Sequence, residues 1–236
     1  MPNNPTQSLI TLRDIEFSWA KDKPATLKFS QLDIKAGERI FIKGPSGSGK
    51  STLLGLLTGI ITPQLGQVNL LGNDLAQMKQ SQRDSFRADH IGYIFQQFNL
   101  IPYLSVIENI VLPCHFSAAR KLRVSSELKQ QAHKLLEHLK LPPALYHSPV
   151  TELSIGQQQR VAAARALIGQ PEILIADEPT SALDHDNREA FITLLMEEAK
   201  LAGSTLIFVS HDPTLEHLFD RCIDLTQLNL AMGVAS

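Results

Sequence analysis

The chain has 236 residues, of which 43% are hydrophobic and 19% charged, with a net charge of −2. This suits one large domain with a sizeable core and excludes a mostly disordered chain. The near-neutral balance excludes the basic excess of a nucleic-acid binder, so no nucleic-acid partner is expected.

The first eight residues, "MPNNPTQS", read as a short polar tail with no secretory pattern. Ile10, Leu12, then Ile15 and Phe17, and later Leu27, Phe29, then Leu32 and Ile34, show a period-two alternation that breaks once in each run. They predict paired strands. "ERIFIKG" is a short apolar strand running into a glycine loop, and "KSTLLGLLTGI" reads as the helix that leaves it. "GQVNLLGND" predicts a strand closed by a Gly-Asn turn, and "HIGYIFQQ" another strand. The longest apolar stretch, "LLGLLTGII", has about half the length needed to span a bilayer. The chain is therefore expected to be soluble, with any membrane role supplied by a partner.

After residue 96 the pattern becomes helical. "SVIENIVL" is a helix, and so is "SSELKQQAHKLLEHLK", with Leu128, Ala132, Leu135 and Leu139 on one face and Pro142 and Pro143 as its stop. The cluster Arg120, Lys121, Arg123 reads as a solvated helix face. A third helix follows "LSIG". Then come strand "EILIAD", helix "NREAFITLLMEEAK", strand "STLIFVS", a short helix near "PTLEHLF" and a last strand around "RCIDLT". Strands alternating with helices at both ends predict a parallel α/β core, with a helical lobe inserted at about residues 97–165. Cys114 and Cys222 stand in no CxxC spacing and read as reduced thiols.

Gly44, Gly49, Lys50 and Ser51 in "GPSGSGKST" fit the phosphate-loop pattern. Such a match arises by chance at about one start position in twenty thousand, so a plain glycine turn is a poor account of it. Glycines let the backbone curl until several N–H groups face phosphate oxygens, and the following helix offers its positive end to the same anion. Lys50 is placed to bridge the β- and γ-phosphates, and the Ser51 hydroxyl to ligate Mg²⁺. "ILIADE" puts Asp177 at the carboxyl end of a strand, where open α/β sheets bind ligands. Asp177 suits Mg²⁺, directly or one shell out, and Glu178 could orient and deprotonate a water. Taken alone, two acids at a strand exit could equally be solvated.

Four elements in order, "GPSGSGKST", "LSIGQQQR", "ILIADEP" and "SALD", resemble the ATP-binding cassette (ABC) ATPase family, and the resemblance runs from about Leu9 to Leu225. It implies a phosphate-loop NTPase core with an N-terminal antiparallel β subdomain and an inserted helical lobe, forming one cassette over residues 9–231. The resemblance implies ATP and Mg²⁺ as cofactors, and ATP contacts from Gly44, Pro45, Ser46, Gly47, Ser48, Gly49, Lys50, Ser51 and Thr52. Trp19 falls where the family stacks an aromatic on adenine, although packing with Phe17 would also account for it. Catalytic roles are implied for Lys50, Gln96, Glu178 and His211, and metal contacts for Ser51, Gln96 and Asp177. Gln97 is an adjacent candidate for the Gln96 role.

In this family two cassettes close head to tail. Ser154, Gly156, Gln157 and Asp184 would reach ATP bound to the second cassette, most simply in a homodimer. Ser154 also fits a plain helix N-cap. Ile155 stands where the family usually has glycine. Either the position has negative φ and tolerates Ile, or the element is altered and its phosphate contact weakened.

The segment "FNLIPYLSVIENIVLP" and the short C-terminal end resemble the ATPase subunits of lipoprotein-release and macrolide-exporter-type systems. They imply a cassette on the cytoplasmic face of the inner membrane that drives a separate integral membrane permease. A second reading is a soluble or non-transport ABC ATPase, acting on the ribosome or DNA or gating a cell-envelope protein. Against the first of these stand the single cassette and the lack of sustained heptads between phosphate loop and acidic strand.

Overall fold

The computed structural model describes residues 8–124, 127–180 and 185–233. They divide into two compact units, one formed by residues up to 87 together with those from 211, the other by residues 88–210.

The first unit opens with strands β1 (Ser8–Phe17) and β2 (Leu27–Lys35), paired antiparallel through Ile10↔Ile34, Leu12↔Leu32 and Ile15↔Phe29. The break in alternation has a local cause. Asp14 takes a positive φ of 49°, and the pairing of β1 with β4 (Leu65–Leu70) shifts register between Arg13 and Glu16. The bulge inserts one residue and returns Ile15 and Phe17 to the face already occupied by Ile10 and Leu12. With β5 (Asn73–Asp74) these strands form a four-stranded sheet in the order β2-β1-β4-β5.

Strand β3 (Arg39–Lys43) pairs in parallel with β9 (Arg221–Asp224), and α1 (Lys50–Leu57) leaves the loop after β3. Ile40, Phe41, Ile42, Leu53, Leu56 and Leu57 are fully buried, so the strand and helix on either side of the glycine loop are anchored in the core. The β4–β5 turn falls on Leu71 and Gly72, both with positive φ, one residue before the expected Gly-Asn pair. Two consecutive left-handed residues suit a two-residue hairpin, and Leu71 takes the first place without glycine's help.

Helix α2 (Gln80–His90), in which the division between units falls, has no counterpart in the sequence reading. Its sequence QSQRDSFRADH buries only Phe86, so it carries almost no apolar period.

The second unit holds three parallel strands in the order β6 (Ile91–Ile94), β7 (Ile173–Asp177) and β8 (Thr205–Val209). All of β8 and the first four residues of β7 are buried, as expected of parallel strands covered on both faces. Its helices are α3 (Val106–Val111), α4 (Pro113–Phe116), α5 (Ala118–Arg123), α6 (Leu128–His138), α7 (Ile155–Leu167) and α8 (His185–Ala202). Helix α6 ends before the prolines. Lys140 takes a left-handed φ of 57°, and the Leu141 amide donates to Leu136 O, so backbone geometry makes the stop.

Within the basic cluster Lys121 is exposed, but Arg120 and Arg123 do not form a solvated face. Arg120 is only 2% exposed, and its guanidinium donates to Ile91 O (2.5 Å), Ala166 O (3.3 Å) and Ile168 O (3.3 Å). Burial pushes its pKa down to about 10, so it stays a cation at neutral pH. Arg123 donates to Asp89 O and pairs with Glu172 at 3.0 Å. Cys114 is buried and Cys222 exposed, each as a free thiol.

Candidate functional site

In the first unit the loop between β3 and α1 has the shape that its glycines permit. Gly47 and Gly49 sit at φ of 80° and 100°, where a side chain is strained. A Cβ on Gly44 would lie 2.5 Å from Ser48 Oγ, so residue 44 must be glycine for Ser48 to fold beneath the loop. Ser48, Gly49 and Thr52 are buried, whereas Pro45, Ser46, Gly47 and Ser51 face solvent. The Lys50 ammonium donates to Gly44 O at 2.6 Å and lies 3.2 Å from His211 Nε2. Sequence positions 161 residues apart are thus brought into contact.

Trp19 lies past the end of β1, 64% exposed, with its ring edge-on to Phe17 at a centroid distance of 5.1 Å. Phe17 is the core residue of the pair, and core packing does not account for an indole left this open.

In the second unit β7 delivers Asp177 and Glu178 at its carboxyl end. Tyr93 on β6 donates its hydroxyl to Asp177 Oδ2 at 3.1 Å. Burial and the neighbouring Asp177 push the Tyr93 phenol far above its usual range, so it remains a donor. Glu178 has a left-handed φ of 47° while its amide donates to Val209 O at 2.9 Å. Gln96 Nε2 donates to Glu178 Oε2 at 3.3 Å. Gln96, not Gln97, thus makes this contact, and its amide oxygen remains an acceptor. Ser51, Asp177 and Gln96 all offer hard oxygen donors, which is the chemistry that Mg²⁺ prefers. The loop glycines likewise fit a polyphosphate.

The "LSIGQQQR" element opens α7. Ser154 is its N-cap, and a capping box is complete: Gln157 N donates to Ser154 Oγ, and Ser154 N to Gln157 Oε1 at 2.9 Å. Ile155 is the first helical residue, outside the positive-φ positions and 53% exposed. A β-branched residue fits there without backbone strain, and the negative-φ account of Ile155 stands. Gly156 and Gln157 follow in the first turn. Asp184, in "SALD", lies outside the described residues.

Three residues that the sequence reading passed over position this unit's groups. Gln159, 1% exposed, donates to Pro179 O at 2.9 Å and so joins α7 to the residue after Glu178. Arg165 donates to Phe98 O (2.5 Å) and Asn99 O (2.7 Å), holding the turn that follows Gln96. Buried Asn109 accepts from Ile101 N and donates to Leu104 O and Ser105 O. A run of three glutamines and an arginine inside an apolar helix were the available signals, since buried polar side chains need partners.

The ABC transporter family model matches residues 27–181. The uncharacterized ABC transporter ATP-binding protein YbbA of Escherichia coli is 44% identical over 195 residues, 83% of each chain. The lipoprotein-releasing system ATP-binding protein LolD of Bacteroides fragilis is 36% identical over 204 residues, 86% of this chain and 92% of the relative. A solved dimer of the ATP-binding cassette MJ0796, in a post-hydrolysis state bound to ADP and Pi, superposes with a TM-score of 0.78. It is 34% identical and covers 91% of this chain and 93% of its own.

Proposed function

The chain belongs to the ABC transporter family, in the lipoprotein-release and macrolide-exporter-type group, and from that premise we propose that it is the ATP-hydrolysing subunit driving a separate membrane permease. The backbone N–H groups of residues 46–52 and the Lys50 ammonium hold the β- and γ-phosphates, with Pro45 shaping the loop without donating, and Trp19 stacks on adenine. Ser51, Gln96 and Asp177 would hold Mg²⁺, which neutralises charge on the phosphate oxygens when bound. Glu178 takes the proton of the attacking water, Gln96 orients that carboxylate, and His211 beside Lys50 contacts the γ-phosphate. Ser154, Gly156, Gln157 and Asp184 face the ATP of a second copy, so ATP holds two cassettes together and hydrolysis releases them.

The observation that supports this reading most strongly is the intact phosphate loop with Lys50 3.2 Å from His211. Similarity to LolD favours an exporter or lipoprotein-release-type machine as the permease. Among the described residues no helix is long and apolar enough to cross a membrane, so attachment to the cytoplasmic face of the inner membrane would go through that partner. Tagged Glu178→Gln protein, held in its ATP-bound form, serves as bait in detergent-solubilised membranes. A multi-span protein recovered in stoichiometric amount is the expected result. Recovery of ribosomal or nucleic-acid-associated proteins alone would contradict the permease assignment.

A further inference from the structure

Asn229 lies near the C-terminal end of the first unit, only 2% exposed, and its side-chain amide is fully engaged. Nδ2 donates to Thr26 O at 2.9 Å and to Ser48 O at 3.1 Å. Oδ1 accepts from Lys28 N at 2.9 Å and from Ala231 N at 3.2 Å. These four bonds use the two donors and both acceptor sites of one amide, and every partner is backbone.

The partners lie on two sides of the proposed nucleotide site. Ser48 belongs to the phosphate loop, and Asn229 Nδ2 also lies 3.5 Å from where a Cβ on Gly49 would be. On the other side, the Thr26 amide donates to Phe17 O at 2.7 Å, and the Phe17 ring carries the edge-on Trp19. Asn229 is itself held from behind. Its amide donates to Leu225 O at 2.9 Å, and fully buried Leu225 packs under Gly44. Asp224 caps the short helix α9 (Leu225–Leu228) by accepting from Thr226 N at 2.9 Å.

We propose that Asn229 is a positioning residue of the ATP site, fixing the spacing between the phosphate loop and the Trp19 platform and thereby the affinity for ATP. Hydrogen bonds are directional and short-ranged, so one amide bonded to both Ser48 O and Thr26 O constrains their separation in a way that apolar packing would not. An apolar side chain of similar size would fill the volume but leave these buried backbone groups unsatisfied. The inference rests on the reading of residues 44–52 and Trp19 as the ATP site.

Steady-state ATP hydrolysis by the full chain tests it. Asn229→Asp keeps the shape and the acceptors for Lys28 N and Ala231 N, but sets a carboxylate oxygen against the carbonyls of Thr26 and Ser48. It is expected to raise KM for ATP about tenfold with kcat within about threefold, the scale of losing buried hydrogen bonds. Trp19 is the single tryptophan, so its fluorescence titration with ADP should weaken in parallel. Asn229→Ala should shift KM at least as far. Should it fail to fold, Asn229→Ser, with one donor and one acceptor on a shorter arm, takes its place. A role confined to folding would lower the active fraction, and hence apparent kcat, while leaving KM and the fluorescence titration unchanged; that result overturns the proposal. Lys50→Ala, assayed alongside, separates the two readings. If it retains hydrolysis, the ATP-site reading fails. If it abolishes hydrolysis while Asn229→Asp leaves KM unchanged, only the role of Asn229 fails.

Discussion

At position 178 the backbone takes a φ of 47°, a conformation that costs a residue with a β-carbon about 1–3 kcal/mol. The cost is offset locally, because the Glu178 amide continues the β7–β8 ladder onto Val209 O and Gln159 holds the next carbonyl. The side chain is thereby turned toward Gln96. A carboxylate held in place with an oriented amide partner suits the general-base role proposed for Glu178. Glu178→Gln keeps the size and the hydrogen bond but cannot take a proton. It should lower ATP turnover by about 10²- to 10⁴-fold, the usual contribution of a general base, while ATP binding persists. Single-turnover hydrolysis checks this, and a loss below threefold would remove Glu178 from that role. Asp177, with Tyr93 donating to it, is held by a neighbour that sequence reading did not connect to it, since a tyrosine 84 positions away carries no spacing signal.

Among the elements, α7 concentrates the most consequences. Its first turn presents Ser154, Gly156 and Gln157, its middle sends Gln159 to Pro179, and its last turn sends Arg165 to the turn after Gln96. Ile155 occupies the first helical position, where backbone strain does not distinguish it from glycine. Ile155→Gly should change turnover by less than about tenfold, roughly 1.4 kcal/mol on the barrier. A much larger gain in rate would show that the isoleucine obstructs the site. The C-terminal end of α7 is tied to α5 and β6 by Arg120, and nearby Glu172 accepts from His90 at 3.1 Å and Arg123 at 3.0 Å.

Burial opposes ionisation of Glu172, yet the His90 hydrogen bond, a hydrogen bond from its own backbone amide and the nearby Arg123 guanidinium hold its pKa below the usual 4.5. A lowered carboxylate pKa contributes stability that is fully present above the unfolded value and lost as pH falls through the folded one. Glu172→Gln should therefore cost about 1 kcal/mol at pH 7, with the difference from the parent shrinking below about pH 4. Urea denaturation at both values reads it, and a difference independent of pH would contradict the assignment.

The strands and most helices were legible because each carries a period or a cap of its own: β7 and β8 are apolar runs, and Ser105 and Ser154 open capping boxes. Helix α2 was not, because it buries one residue. The burial of Arg120 was not either, because its partners are carbonyls at 91, 166 and 168, and distant backbone acceptors leave no pattern near an arginine.

At the scale of the whole molecule, the chain belongs to a family in which a solved relative, the cassette MJ0796, is a dimer, and the proposed function has this cassette working in pairs as well. Ser154 is exposed at the head of its helix and is not consumed by the fold beyond its cap. Its position in the family pattern is the ground for proposing that it reaches ATP held by another copy. The candidate phosphate and acid residues were legible in the sequence through short motifs, whereas Gln159 and Arg165 left only the faint signal of polar residues inside an apolar helix, and the backbone partners of Asn229 became visible only in three dimensions. The most direct test of the central claim is the sedimentation mass of Glu178→Gln protein with and without ATP and Mg²⁺. The account predicts about twice the monomer mass with ATP, and the monomer with ADP or when Lys50→Ala is added. A mass that ignores ATP, in protein shown to bind it, would contradict the head-to-tail ATP-held pair.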